Sequence, residues 1–145
     1  MNKLINLDDL AEITNLFVKV FNNKPWNDSW TFDTAEKRLA SMINSSDFSG
    51  MVKHENGRAI GMIMGQKEQF YDGVHFQIVE FCVDTDEHNK GYGTQLLSDF
   101  LKHLNSFGII KVYLMTMRGV AAEGFYLKNS FEAIEDFIIM AKGLD

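Results

Sequence analysis

A strand, a glycine-bearing loop and a helix follow one another without interruption between Ile78 and Leu104, and this stretch constrains the fold most tightly. Ile78, Val79, Phe81, Cys82 and Val83 form a β-rich apolar run that is too short for a helix. Leu96, Leu97, Phe100, Leu101 and Leu104 recur every three or four residues, which makes one apolar stripe on a helix. Between them, Lys90-Gly91-Tyr92-Gly93-Thr94 delivers the chain into the helix N-terminus. Unpaired backbone N–H groups and the positive end of the helix dipole point outward there, an arrangement that suits a phosphate. Glycine at 91 and 93 allows an anion to approach the backbone without interference from Cβ atoms. Taken alone, a GxG is more often an ordinary turn than a phosphate loop. A dinucleotide fingerprint would need a third glycine where Leu96 stands, and a Walker loop would need its lysine after the glycines, whereas Lys90 precedes them.

The rest of the chain supplies partners for this unit. Lys3 to Ile5 reads as a short opening strand. Asp9-Leu10-Ala11-Glu12 has the spacing of a capping box, and Leu10, Ile13, Leu16, Phe17, Val20 and Phe21 form a helical face to about Asn22. Pro25 to Thr31 is irregular and holds both tryptophans, Trp26 and Trp30. A second helix starts after Thr31 or Thr34 and buries Ala35, Leu39, Met42 and Ile43. Phe48 to His54 and Arg58 to Gln69 read as strands joined by Asn56-Gly57, with Gly61 and Gly65 marking bulges in the second. Asp72-Gly73 turns the chain into the strand that carries Glu80. Phe107-Gly108 stops the central helix, Ile109 to Thr116 is a strand, Ala121 to Asn129 a helix, and Phe131 to Lys142 a further strand or hairpin arm. Helices, an antiparallel meander, then alternating strands and helices describe an α/β (mixed α+β) fold: a mixed, mostly antiparallel sheet with helices on both faces.

With 145 residues, the chain fits a single domain, 1–145, around one core. Its apolar runs fall short of a membrane span and it opens without a signal-like segment, so the expected location is cytoplasmic. The net charge of −6 and the lack of a Lys/Arg patch argue against nucleic acid and favour cationic acceptors. Cys82, the single cysteine, lies within an apolar strand and reads as a buried structural thiol. The four histidines have no Cys or carboxylate at ligand spacing, so no metal site is expected.

His88-Asn89-Lys90-Gly91-Tyr92-Gly93 resembles the Q/R-x-x-G-x-G/A signature of the GCN5-related N-acetyltransferases, with His88 in the Gln/Arg position. Ala122-Glu123-Gly124-Phe125-Tyr126-Leu127-Lys128-Asn129-Ser130-Phe131 is similar to that family's A-x-x-F-Y-x-K-x-G-F segment, with Ser130 for glycine and Gly119 where an asparagine often stands. The resemblance implies acetyl-coenzyme A as co-substrate and no metal. It further implies cofactor contacts from Cys82, Val83, His88, Asn89, Lys90, Gly91, Tyr92, Gly93, Thr94, Phe125 and Lys128. The implied partner is a small-molecule or peptide amine, and a homodimer is left open.

Acetyl transfer to an amine needs a proton acceptor, a polarised carbonyl and a proton donor for the departing thiolate. Strict alternation puts Glu80 on the strand face of Ile78 and Cys82, where desolvation would make it a base; pairing with a Lys or Arg is the alternative. In the histone-modifying branch of the family the base lies further back on this strand, where this chain has Gln77. The family places a tyrosine near the coenzyme sulfur at the position of Tyr126, and phenols, with pKa about 10, can protonate a thiolate. A backbone N–H near Cys82 or Val83 would polarise the carbonyl. Trp26, Trp30, Glu68, Phe70, Tyr71 and Asp72 lie where the family builds its acceptor pocket, and Trp26, Trp30 and Tyr71 are the candidate substrate contacts. Two functions fit: an N-acyltransferase, or an acyl-coenzyme A-binding module without catalysis that works through a partner.

Overall fold

The computed structural model describes residues 2–145. The chain forms two compact units, one ending at Met115 and the other spanning Thr116–Asp145. Among the described residues, no helix is long and apolar enough to cross a membrane.

The first unit is a five-stranded sheet in the order β1-β2-β3-β4-β5. Its strands are β1 (Asn2–Leu4), β2 (Phe48–Glu55), β3 (Arg58–Phe70), β4 (Gly73–Val83) and β5 (Ile109–Leu114). The first four are antiparallel neighbours, and only β4 and β5 run parallel. A parallel neighbour requires a crossover, here made by α3 (Tyr92–Ser106). Two helices, α1 (Leu10–Phe21) and α2 (Phe32–Ile43), connect β1 to β2. Ile13, Leu16, Phe17 and Val20 of α1 and Ala35 and Leu39 of α2 form one core with Val52, Met62, Met64 and Cys82 of the sheet. The opposite face takes α3: Phe100 packs edge-on against Phe76, ring centroids 5.5 Å apart, and Leu96 lies over Gly61. Leu96, Leu97, Phe100 and Leu104 are buried, as the stripe requires.

Both glycines of β3 adjoin irregularities. Lys53 pairs with Gly61 and His54 with Ala59, which leaves Ile60 as an extra residue. Gly65 pairs with Ile78 and Met64 with Glu80, so the second extra residue, Val79, is on β4. A Cβ on Gly65 would lie 1.8 Å from the Gln77 carbonyl oxygen, so this close approach requires glycine.

Two local expectations need correction. The capping box forms one turn earlier, around a short 3-10 helix at Leu7–Asp9. Asn6 Oδ1 accepts from Asp8 N–H at 2.8 Å and Asp9 Oδ2 from Asn6 N–H at 2.9 Å. Asp9 also binds Lys3, and Glu12 instead meets His54 Nε2 at 2.7 Å. A second 3-10 turn, Thr85–Glu87, precedes the glycine loop. The segment from Phe131 to Lys142 forms neither strand nor hairpin arm. Phe137, Ile138, Ile139 and Met140 have β-type side chains, but a strand exists only through its ladder, and among the described residues this segment pairs with no strand. The second unit contains α4 (Ala121–Lys128), where Glu123 Oε1 accepts from Gly119 N–H at 2.8 Å.

Candidate functional site

Pairing between β4 and β5 runs from Val74–Ile109 to Ile78–Leu114 and then stops. Past Ile78, β4 continues to Val83 with β3 as its only ladder partner among the described residues. On its β5 side, β4 past Ile78 therefore pairs with no strand among the described residues, and the Val83 carbonyl there meets His88 Nε2. This opening begins at the Val79 bulge and ends at the glycine loop.

The loop is shaped by backbone conformation. Asn89 and Gly91 are left-handed, at φ +66 and +81, and Gly91 is the N-cap of α3. Gly91 supplies no side-chain cap, whereas the start of α2 is closed by Thr31 Oγ1, which accepts from Thr34 N–H at 3.0 Å. The first-turn N–H groups of α3, from Tyr92 to Thr94, are thus left for an anion. A Cβ on Gly91 would meet nothing within 4 Å, so that side of the loop is open. The donor set fits a pyrophosphate: several convergent backbone N–H groups, a helix dipole and no carboxylate in the first turn.

Side chains around the loop are engaged with one another. His88 Nε2 lies 2.9 Å from the Val83 carbonyl oxygen, Lys90 binds Glu87 at 2.8 Å, and the Lys53 ammonium sits 4.9 Å from the centre of the Tyr92 ring. Of the expected cofactor residues, Cys82, Val83 and 88–94 thus border one surface. The Cys82 side chain points into the α1/α2 core, and burial, followed by the nearby Glu80 and Asp84 carboxylates, pushes its thiol far above the ordinary range. The Cys82 thiol is therefore closed to a ligand.

Sequence reasoning missed what holds the loop in place. Asp84, 2% exposed, ends β4 and accepts from Asp86 N–H at 3.0 Å, from Lys19 of α1 at 2.8 Å and from Arg58 of β3 at 2.9 Å. Arg58 continues to Glu87 at 3.0 Å, which holds Lys90. Burial raises the Asp84 carboxyl, but the Lys19 contact, the Asp86 N–H and Arg58 together outweigh it and the net shift is downward. The readable signal was an aspartate two residues before another acidic residue at a strand end, an Asx-turn pattern.

Glu80 is 7% exposed and faces α2, where its Oε1 accepts from Arg38 Nε at 2.8 Å and Nη2 at 2.7 Å. Burial raises its carboxyl above the ordinary value, with the Arg38 charge and hydrogen bond opposing the rise. The expected face needs correction. Glu80 does share a face with Cys82, both opposite core methionines of β3, but the Val79 bulge turns Ile78 to the α3 side with Phe76. Arg38 was also missed: it is a partly exposed residue of α2 beside Leu39, and no local pattern links it to a carboxylate 42 positions on.

The expected acceptor residues separate. Trp30 joins the Glu80 cluster: Arg38 lies 5.8 Å from its ring centroid, its Nε1 donates to Asp28 at 3.1 Å and it packs edge-on against Phe17. Trp26 packs against Phe21, centroids 5.7 Å apart. Tyr71 is 99% exposed at the β3–β4 turn, nine residues before Glu80 and on the order of 25 Å away at about 3.3 Å per residue. It is not brought to the cluster. In the second unit, Tyr126 packs edge-on against Phe125 and Phe131, each at 5.5 Å, while Lys128 ends α4.

The family model "Acetyltransferase (GNAT) family" matches residues 10–131. No curated protein matches the chain in sequence. Solved structures share the fold. An aminoglycoside acetyltransferase from an uncultured soil metagenomic sample has a TM-score of 0.79 at 19% identity, covering 100% of this chain and 96% of that one. A GNAT family acetyltransferase from Staphylococcus aureus has a TM-score of 0.76 at 19% identity, covering 99% and 98%. The aminoglycoside N-acetyltransferase AAC(6')-Iy, in complex with CoA, has a TM-score of 0.80 at 14% identity, covering 98% and 93%.

Proposed function

Because the chain belongs to the GNAT family of acetyltransferases, we propose that it moves the acetyl group of acetyl-coenzyme A directly to a primary amine of a small molecule or peptide. The observation that carries this reading is the parting of β4 from β5 beside the uncapped start of α3. A long, flexible thioester with a pyrophosphate at one end needs an extended backbone edge for the arm and a ring of N–H donors for the anion. The unpaired side of β4 past Ile78 and the loop Asn89–Thr94, joined by the turn at Thr85–Glu87, support this reading.

In the proposed reaction, Glu80 takes a proton from the acceptor ammonium, and the freed amine attacks the thioester carbonyl. A backbone N–H of Cys82 or Val83 supports the developing oxyanion, the carbon–sulfur bond breaks, and Tyr126 protonates the thiolate. The raised carboxyl of Glu80 supports its part as base, while Arg38 holds Oε1 and leaves Oε2 without a hydrogen bond among the described residues. Trp30, braced by Phe17 and Arg38, lines the same side.

The test is thiol release from acetyl-coenzyme A over a broad panel of amines, with Gly91→Val as the matched variant. Valine at φ +81 is strained and puts its side chain on the open side of the loop, where the phosphate is proposed to sit. It should weaken acetyl-coenzyme A binding by about tenfold or more, about 1.4 kcal/mol. Coenzyme binding without thiol release from any amine would favour a non-catalytic acyl-coenzyme A-binding module; unchanged affinity in folded Gly91→Val would refute the loop assignment.

A further inference from the structure

The bulge that breaks alternation in β4 leaves β3 regular, so Met62, Met64, Gln66 and Glu68 lie on one face, the side of α1 and α2. The first two are core; Gln66 and Glu68 are only half-buried, so the helices leave this end of the face open. Cross-strand pairing extends the polar floor: Gln66 pairs with Gln77 and Gln77 with Tyr113, while Glu68 pairs with His75 and His75 with Lys111. Over it, the Tyr113 hydroxyl donates to Glu68 Oε1 at 2.6 Å, spanning from β5 to β3. Burial, and then Glu68 itself, pushes the Tyr113 phenol up to about 12, so it remains a donor that holds the carboxylate in place. Glu68 Oε2 has no hydrogen bond or ion pair among the described residues. The nearby cations do not claim it: His75 binds Asp72 at 2.9 Å and stacks on Phe70, and Lys111 is exposed.

We propose that Glu68, oriented by Tyr113, binds a second cationic group of the acceptor and so selects amines with two positive charges. This rests on the preceding reading that transfer occurs where β4 and β5 part. Glu68 stands opposite His75, three residues before Ile78, where the strands separate. Glu80, the proposed base, pairs with Met64, four residues from Glu68 along β3, so at about 3.3 Å per residue the second charge lies about 13 Å from it. A half-buried carboxylate with a free oxygen at that distance matches the far ammonium of a linear diamine.

Thiol release would be measured for octane-1,8-diamine, octylamine and 8-aminooctanoate, which share one reacting amine and chain and differ in the far group. The wild type should favour the diamine over octylamine by about 10- to 100-fold in kcat/KM, the range for a hydrogen bond to a charged group, with the carboxylate poorest. Glu68→Gln should bring the diamine-to-octylamine ratio close to one. Tyr113→Phe, which keeps the carboxylate, should retain a clear preference. A ratio unchanged in Glu68→Gln, or lost equally in both variants, would overturn the proposal, the second outcome making the pair a staple between β3 and β5. Wild type that ignores the far group, or acetylates none of the three while releasing thiol with other amines, would overturn it and leave the acetyltransferase reading standing. Failure with every amine would remove both.

Discussion

Replacing Gly65 with alanine tests whether the β3–β4 bulge is built as described. The new Cβ would sit 1.8 Å from the Gln77 carbonyl oxygen, 2.8 Å from its carbonyl carbon and 2.9 Å from the Phe76 ring. Real Cβ contacts do not fall below 3.0 Å, so the strands must part locally by 1.2 Å or more. The obstacle is backbone rather than a flexible side-chain tip. A ladder hydrogen bond of about 2.9 Å stretched by that amount is lost. Overpacking costs about 1–3 kcal/mol, and a buried group left unpaired costs about as much again. A total of about 2–6 kcal/mol is a large part of the 5–15 kcal/mol typical of a domain, and corresponds to a fall in Tm on the order of 10 °C.

Thermal and urea unfolding of Gly65→Ala would be compared with Gly57→Ala, where φ is +74 but the Cβ meets nothing within 4 Å. The control should lose only about 1–2 kcal/mol, the cost of a left-handed alanine. Should the two variants lose equal stability, within about 0.5 kcal/mol, the close approach at Gly65 would be refuted. With it would go the displacement of Val79 that turns Glu80 toward α2.

Glu80→Gln should remove an acidic limb from the pH dependence of kcat/KM, and because burial raises this carboxyl the wild-type limb should lie above the ordinary 4.5. The folded state also holds that proton more tightly, so the group's contribution to stability is fullest below 4.5 and is lost as pH rises; unfolding curves that diverge with falling pH instead would contradict this sign. Tyr126→Phe should slow turnover by about a hundredfold with coenzyme affinity intact, and a loss under about threefold would leave the tyrosine a packing residue. Asp84→Asn should cost about 1–3 kcal/mol at neutral pH, less than for a fully enclosed pair because Lys19 and Arg58 are 42% and 54% exposed. Its wild-type carboxyl is depressed, so that stability is present above 3.8 and lost as pH falls below it; a wild-type-to-variant difference persisting at lower pH would contradict the network.

The elements legible from sequence were those whose signals are local. The α3 stripe, the Thr31 cap and the Asn56-Gly57 turn each depend on neighbours within four residues, and each formed where its pattern stood. The strand expected at Phe131–Lys142 failed because β-type side chains show that a segment can pair and say nothing of whether a partner is present. The carboxylate partners were illegible for a similar reason. Arg38 and Glu80 are 42 positions apart, and Glu68 and Tyr113 are 45 apart. Such pairs exist only once register is known, and register here depends on one extra residue, Val79.

That residue also gives the site its division of labour. Before the bulge, Phe76 and Ile78 face α3 and Gln77 faces the side of α1 and α2; after it, Glu80 and Cys82 take that side, although their parity in the sequence matches Ile78. Without the extra residue, Glu80 would point into the α3 core, where Leu96, Leu97 and Phe100 offer no partner for a charge. With it, the carboxylate reaches Arg38, and Gln77 and Glu80 share one face just where β5 departs. A one-residue slip has therefore put a buried carboxylate beside an open strand edge. Gly65 makes this compatible with an intact ladder on β3, because any side chain there would occupy the space of the Gln77 carbonyl. In the proposed reaction the glycine loop would hold one end of the thioester, and the bulge sets which face of β4 carries the Glu80 carboxylate toward the other.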